Sequence, residues 1–335
     1  MAARGARRRP FEIGGVEIAP GERQLVHLPL SALSNQTPMA LPVSVIHARR
    51  DGPTLFVSAA VHGDELTGVA ICRRLLASKA LAITHGTLLI VPIVNAFGFI
   101  SHSRYLPDRR DLNRSFPGSV KGSLAAQLAN LFLTEVVARS SHGIDLHSAA
   151  IHRSNLPQIR VDSHDEAALR LAEAFGAPII VHSSLRDGSL RAAALKKGVP
   201  VIVYEAGEGL RVDELSVRVG IEGVLRVMAH LGMVRRRRQP PRRPALATST
   251  RWVRAEESGL FRPSHDIGDH VAIGDRIGAI SDPFGERETD VQAGSAGNII
   301  GRANMPAAKQ GDALFHIARV DNASMLGEHY QKLER

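Results

Sequence analysis

The sequence predicts an α/β fold: a mixed, mostly parallel sheet flanked by helices, followed by a small all-β domain. Two observations carry this prediction. Apolar segments as long as buried strands alternate with segments of helical spacing over most of residues 53–231. After a basic, proline-rich stretch, short segments joined by Gly-Asp turns replace that alternation.

Nearly continuous apolar runs indicate strands covered on both faces, and apolar residues three and four apart indicate helices. The predicted buried strands are residues 53–61, 87–94, 143–147, 178–181 and 199–204. The predicted helices are residues 65–79, 123–140, 165–175, 188–197 and 213–231. Alternating residues between 11 and 46, with turn signals among them, predict short strands before this α/β pattern begins.

The clearest boundary is a basic, proline-rich segment without periodicity. We predict an α/β domain with its N-terminal β segment at 1–234, a linker at 235–250, a β-domain at 251–322 and a tail at 323–335. The β-domain is recognised by Gly-Asp turns, as at 268–269, 274–275 and 311–312.

Composition narrows the class of protein. With 44% hydrophobic and 22% charged residues the chain is predicted to be globular. The net charge of +9 comes largely from arginines in the N-terminal segment and the linker, without interleaved aromatic residues, so we expect no nucleic-acid partner. No apolar stretch is long enough for a membrane span, and no secretory signal follows the first ten residues.

Cys72 is the only cysteine, so an intramolecular disulfide and a thiolate metal cluster are excluded. We interpret Cys72 as a buried structural thiol on the helix that follows residue 62. A reducing cytoplasm is the expected location, and a homo-oligomer is compatible with the sequence.

Polar residues end three of the predicted strands. His62 and Glu65 lie three apart where a strand turns into a helix, and His147 ends another strand. In open α/β sheets such ends meet at one edge, and two histidines with a carboxylate are zinc ligands of hydrolytic sites. Glu205, at the tip of a further strand, is a candidate general base. The alternative for each is a polar strand end that is only capped.

A polar loop follows the strand at 87–94. Its arginine forks and the Asn113 amide suit a planar carboxylate, with Arg114 the better candidate. The alternative is an exposed surface loop, which fits Arg109 and Arg110 better.

The combination His62-x-x-Glu65, Asp111-x-Asn113-Arg114, Asp145-x-His147 and Glu205 resembles the succinylglutamate desuccinylase/aspartoacylase family. The resemblance in order and spacing extends over residues 40–232. It implies a fold related to zinc carboxypeptidases and one Zn²⁺ per chain. It also implies a hydrolase that cleaves the amide bond of a small N-acyl amino acid or related N-acyl amine.

The resemblance also implies roles for individual residues. His62, Glu65 and His147 would bind the zinc ion, and Glu205 would activate water and later protonate the leaving amine. The resemblance implies that Arg104 would polarise the scissile carbonyl and that Asn113 and Arg114 would hold a substrate carboxylate. It also implies that Asp111 would orient a zinc-binding histidine.

Further substrate contacts are less defined by the pattern. Arg153 and Asn155, in the loop expected after His147, and Arg191 are candidates. Specificity for N-acetylaspartate is not supported. Two other functions stay open at this stage: a carboxypeptidase-like peptidase, in which Asn113 and Arg114 grip a peptide C-terminus, and a catalytically silent binding protein.

The C-terminal domain resembles the lipoyl/biotinyl-like β-fold. Residues 281–290 contain no lysine, so a carrier function is not expected and a lid, specificity or assembly role is favoured. Its histidines, His265, His270 and His316, are interpreted as surface or packing residues.

Overall fold

The computed structural model describes residues 8–32, 35–235 and 243–320, together with 326, 327, 330 and 333. Most of the arginines predicted to form a basic tail and linker, and most of the tail at 323–335, therefore lie outside the described residues. Within the described part, no helix has both the length and the apolar character needed to cross a membrane.

The α/β part contains ten strands and six helices among the described residues. The strands are β1 (Phe11–Ile13), β2 (Val16–Ile18), β3 (Arg23–Ala32), β4 (Pro38–His47), β5 (Arg50–Ala59), β6 (His85–Val91), β7 (His142–His147), β8 (Arg153–Val161), β9 (Ile179–His182) and β10 (Val201–Gly207). The helices are α1 (Thr67–Ala77), α2 (Ala96–Ile100), α3 (Leu124–Glu135), α4 (Glu166–Phe175), α5 (Leu190–Leu195) and α6 (Glu214–His230).

The C-terminal part is built of strands. They are β11 (Ala245–Arg254), β12 (Gly259–Pro263), β13 (His270–Val271), β14 (Arg276–Ser281), β15 (Glu288–Gln292), β16 (Gly297–Ala303), β17 (Ala307–Ala308) and β18 (Ala313–Val320). Residues 245–250, predicted as linker, thus belong to β11. Most side chains of this strand are exposed, so it lacks the apolar pattern that identifies a strand from sequence.

One large sheet has the order β13-β16-β18-β11-β9-β8-β10-β7-β5-β6-β4-β3. Parallel pairs join β6, β5, β7 and β10, and also β8, β9 and β11. The other pairs are antiparallel. "Mostly parallel" therefore describes the centre and not the whole sheet. Apolar runs report that both faces of a strand are covered, but they do not fix the direction of its neighbours.

The C-terminal strands are hydrogen-bonded to the α/β part. β11 pairs with β9, and β16 pairs with β8. Because β8, β9, β11, β18 and β16 are each bonded to the next and β16 returns to β8, these strands form a closed ring. The separate sheet β15-β14-β12-β17 shares one apolar core with β16 and β18 of this ring.

Two apolar cores cover the two faces of the central strands. Leu55 and Val57 of β5 belong to the core that includes α1, α4 and α6, while Phe56 between them belongs to the core on the α3 side. This alternation explains why β5 is apolar throughout. Cys72 lies buried in the first core, as predicted, and burial raises the pKa of its thiol.

Candidate metal centre and catalytic cavity

His62 and Glu65 lie in the turn between β5 and α1. The Glu65 amide donates to the His62 carbonyl at 3.2 Å, which closes the turn and turns both side chains inward. Gly63 makes this turn possible, because a Cβ there would lie 1.9 Å from the backbone carbon of Gly98 in α2. The glycine in the His-Gly-Asp-Glu segment is thus required by close packing of two backbones.

The Glu65 carboxylate lies between the two imidazoles. Its Oε1 is 2.7 Å from Nδ1 of His62, and its Oε2 is 2.7 Å from Nδ1 of His147, the last residue of β7. All three side chains are buried, and one ligand atom from each lies within 4.8 Å of the others. The expected convergence of strand ends at one edge of the sheet is confirmed.

A second carboxylate holds each imidazole from its other nitrogen. Nε2 of His147 is 2.7 Å from Asp145 Oδ2, and Nε2 of His62 is 3.2 Å from Asp111 Oδ1. Asp145 is itself held by the Ser58 hydroxyl, which donates to Oδ1 at 2.7 Å. Because the outer carboxylates engage Nε2, the Nδ1 lone pairs are directed toward Glu65 and can bind a metal ion there.

Charge is concentrated in this cluster. Burial alone would raise the pKa of Glu65, but His62 and His147 outweigh it and hold that pKa well below its usual range. Burial opposes protonation of His147, yet Asp145 and Glu65 raise its pKa well above 6.5. The cluster therefore favours a cation at its centre. Two imidazole nitrogens and one carboxylate oxygen form a donor set that fits a catalytic metal ion with an open position.

Arg104 lies at the edge of the cluster. Its Nε and Nη2 donate to Asp111 Oδ2 at 3.2 and 2.9 Å, while Nη1 is 3.3 Å from Nδ1 of His62. Burial lowers the pKa of Arg104, but Asp111 and then Glu65 overcompensate and raise it. The guanidinium is thus fixed and fully charged beside the candidate metal site.

Glu205 lies opposite His147 on the neighbouring parallel strand β10. Asn155 Nδ2 donates to Glu205 Oε2 at 2.9 Å, and Arg160 Nη2 lies 3.2 Å from the same oxygen. Among the described residues, Oε1 has no such contact. One carboxylate oxygen is therefore held in place while the other is available to a ligand.

The other candidates lie on the surrounding loops and strands. Asn113 Oδ1 accepts from the Leu190 amide at 2.9 Å, and Arg114 donates to the Asn113 carbonyl. Arg191 donates to the Ser183 carbonyl at 3.1 Å; burial, and then Arg160, lower the pKa of Arg191.

A cavity of about 330 Å³ brings these side chains together. Its lining includes every residue predicted to bind metal or substrate or to act in catalysis, namely His62, Glu65, Arg104, Asn113, Arg114, His147, Arg153, Asn155, Arg191 and Glu205. Asp111 stands behind this lining, in contact with Arg104 and His62.

Arg160 and Trp252 line the cavity but were not among the predicted site residues. Arg160 and the neighbouring Arg153 and Asn155 belong to strand β8, not to the loop expected after His147. Pro157 and the polar residues interrupt the apolar pattern of this strand and conceal it. Trp252 reaches the cavity from β11. The sequence marks it only by its being the single tryptophan, which does not indicate a place in the site.

The sequence model of the succinylglutamate desuccinylase/aspartoacylase catalytic domain matches residues 51–231. The N-alpha-acetyl-L-2,4-diaminobutyric acid deacetylase of Halomonas elongata is 28% identical over 294 residues, covering 84% of this chain and 86% of that protein.

Solved structures agree over most of the chain. A succinylglutamate desuccinylase from a Silicibacter species superposes with a TM-score of 0.80 and 26% identity, covering 90% of this chain and 95% of that one. The product-bound ectoine utilization protein EutE (DoeB) of Ruegeria pomeroyi superposes with a TM-score of 0.79 and 27% identity, covering 89% of this chain and 94% of that one. With the family model matching more than half of its residues, the chain belongs to the succinylglutamate desuccinylase/aspartoacylase family.

Proposed function

We propose that this protein is a zinc-dependent deacylase that hydrolyses the amide bond of a small N-acyl amino acid or a related N-acyl amine. One observation carries the proposal. The His62–Glu65–His147 cluster and the carboxylate of Glu205 face the same cavity, from neighbouring strands in register. A metal-type donor set beside a carboxylate with one uncommitted oxygen suits metal-assisted hydrolysis of an amide by water.

His62, Glu65 and His147 would hold the zinc ion, with Asp111 and Asp145 fixing the two imidazoles. When bound, zinc supplies Lewis-acid polarisation of the carbonyl and lowers the pKa of water. Glu205 Oε1 then accepts a proton from the attacking water and passes it to the amide nitrogen as the C–N bond breaks. The products are a carboxylic acid and a free amine.

Arg104 is suited to stabilise the developing negative charge on the acyl oxygen. Asp111 holds two of its donors, so the guanidinium is fixed before the substrate arrives. Asn113 and Arg114, on a loop anchored to the start of α5, would bind the α-carboxylate of the amino acid. The substrate contacts of Asn113, Arg114, Asn155 and Arg191 are all predictions, and Arg114, Asn155 and Arg191 already donate to groups of the protein.

The family and the cavity support this substrate class. The Halomonas elongata relative is named for deacetylation of an N-acetylated diamino acid, and the Silicibacter relative for desuccinylation. A cavity of about 330 Å³ suits molecules of that size. The acyl group and the side chain of the amine are left to experiment.

The test combines metal analysis with a substrate panel. Purified full-length protein should contain about one zinc ion per chain, the number expected for one three-ligand site. It should release amine from N-acetyl or N-succinyl amino acids. Release of C-terminal residues from peptides, without cleavage of N-acyl amino acids, would support a carboxypeptidase instead. Absence of zinc and of any turnover would support a catalytically silent binding protein.

Glu205→Gln isolates the proposed base. We expect kcat to fall by about 10²–10⁴-fold, the usual contribution of a general base, with the zinc content unchanged because Glu205 is not a ligand. Glu173→Gln, at an exposed position of α4, is the matched control and should leave kcat unaltered. A Glu205→Gln variant with wild-type kcat would contradict the assignment.

A further inference from the structure

The C-terminal strands contribute a side chain to the catalytic cavity. Trp252 of β11 lines it together with Arg153 of β8. The parallel pairing of β11 with β9 and the antiparallel pairing of β16 with β8 fix the two parts relative to each other. In the second pairing the backbone of Arg153 lies opposite Ala303. The cavity wall at this point is thus built jointly by the two parts of the chain.

Trp252 is stacked on a buried ring. His316 lies directly opposite it on β18, and the two rings stack at 4.3 Å with an interplanar angle of 2°. His316 is buried, and burial, followed by the nearby charge of Arg160, lowers its pKa to about 3. The neutral imidazole therefore supports the indole without adding a positive charge beneath it.

Arg153 is placed over this ring. Its guanidinium carbon lies 5.6 Å from the centroid of Trp252, within the range of a cation–π contact. Within the described residues, no carboxylate lies within ion-pair distance of Arg153. Arg160 and Arg104, in the same cavity, are paired with Glu205 and Asp111. Stacking thus orients Arg153 while leaving its fork of N–H donors to a ligand.

We propose that Trp252 is a positioning residue that fixes Arg153 as an anion-binding wall for a second carboxylate of the substrate. An arginine can only donate hydrogen bonds, and its fork fits a carboxylate in bidentate geometry. This carboxylate belongs either to the acyl group or to the amino-acid side chain. The inference rests on the proposed function, in which Asn113 and Arg114 bind the α-carboxylate.

Steady-state kinetics on paired substrates test the wall. N-acetylaspartate and N-acetylalanine differ in a side-chain carboxylate, while N-succinylalanine and N-butyrylalanine differ in an acyl carboxylate. For whichever pair carries the preference, Trp252→Ala should raise KM of the charged member about tenfold, the size expected for losing a partly desolvated cation–π contact. The KM of its uncharged partner and kcat should change less than about twofold, since neither depends on Arg153.

The partnership of the two residues is tested by a double-mutant cycle. Arg153→Ala should raise KM at least as much as Trp252→Ala, and the double variant no more than Arg153→Ala alone, because Trp252 acts only through Arg153. Trp252→Phe, which keeps an aromatic face, should recover most of the affinity. Phe284→Ala, at an 86% exposed ring in the same part of the chain, is the control and should behave as wild type.

Binding can also be measured without turnover. Trp252 is the only tryptophan, so its fluorescence reports this wall alone. Titrating the zinc-loaded Glu205→Gln variant with the charged substrates should change the emission saturably, and Arg153→Ala in that background should weaken the response. If the protein cleaves no amide but shows this change in fluorescence, the proposed function is refuted while the anion-binding wall is supported. A protein that cleaves amides with KM unaffected in Trp252→Ala, or with additive losses, refutes the wall.

Discussion

Asp145→Asn tests whether the outer carboxylates prepare the metal site. Asp145 is 1% exposed, and its Oδ2 lies 2.7 Å from Nε2 of His147 while Oδ1 accepts from the Ser58 hydroxyl. Asparagine keeps the shape and can keep its oxygen toward His147, with its amide turned to the Ser58 oxygen. The substitution therefore removes the negative charge and leaves the packing intact.

The size of the effect follows from that geometry. A short, buried, charge-assisted hydrogen bond is replaced by a neutral one, and such outer-shell changes lower metal affinity by about 10–100-fold. We expect Asp145→Asn to lie near the upper end of that range. Asp111→Asn should lie near the lower end, because the Asp111 side chain is 14% exposed, its distance to His62 is 3.2 Å, and it also holds Arg104.

Competition with a chromophoric chelator at fixed pH measures the zinc affinity of both variants. Asp51→Asn, at a surface ion pair with an 89% exposed carboxylate, is the isosteric control and should bind zinc as the wild type does. Thermal unfolding of the metal-free forms separates a loss of affinity from a loss of folded protein. A folded Asp145→Asn variant that binds zinc within about twofold of wild type would refute the reasoning, since outer-shell partners normally contribute more.

Three further changes probe the surroundings of Glu205. Arg160→Met should lower kcat about tenfold with KM nearly constant in steady-state assays, because it removes a fixed charge that orients the base but not a binding group. Gly301→Ala should also lower kcat, because the added Cβ would lie 2.8 Å from Asn155 Oδ1 and would displace the amide that holds Glu205. The free energy of unfolding, measured by calorimetry, should change by less than about 1 kcal/mol. His316→Gln should flatten the acid side of the stability profile, measured as the urea midpoint against pH. Burial, and then Arg160, lower the pKa of His316 from 6.5 to about 3, so within that window the unfolded chain binds a proton that the folded chain does not, and wild-type stability falls as the pH falls. An acid side as steep in the variant as in the wild type would contradict this.

The candidate metal ligands could be proposed from the sequence because His62 and His147 lie just after or at the end of strands with strong apolar signals. β5 and β7 are buried on both faces, so their apolar runs mark where each strand ends and where His62 and His147 begin. Parallel pairing of those strands then carries both ends to one edge of the sheet. The role of Asp145 in orienting His147 could not be assigned from the sequence, because residue spacing does not show which imidazole nitrogen faces which carboxylate.

Strand β8 shows why the rest of the site was harder to predict. Asn155 and Arg160 are polar because they contact Glu205, and with Pro157 they erase the pattern from which a buried strand is recognised. In this strand the polar residues that the site needs replace the apolar residues by which a buried strand is recognised.

The boundary near residue 250 has a different physical origin. Composition changes sharply there, which indicates a linker, but hydrogen bonds between strands far apart in sequence leave no periodic trace. β11 joins β9 and β16 joins β8, and these pairings carry Trp252 to the cavity and Gly301 against Asn155. The C-terminal strands therefore support residues of β8 that line the cavity, and we propose that they contribute to the active site and are not a detachable carrier.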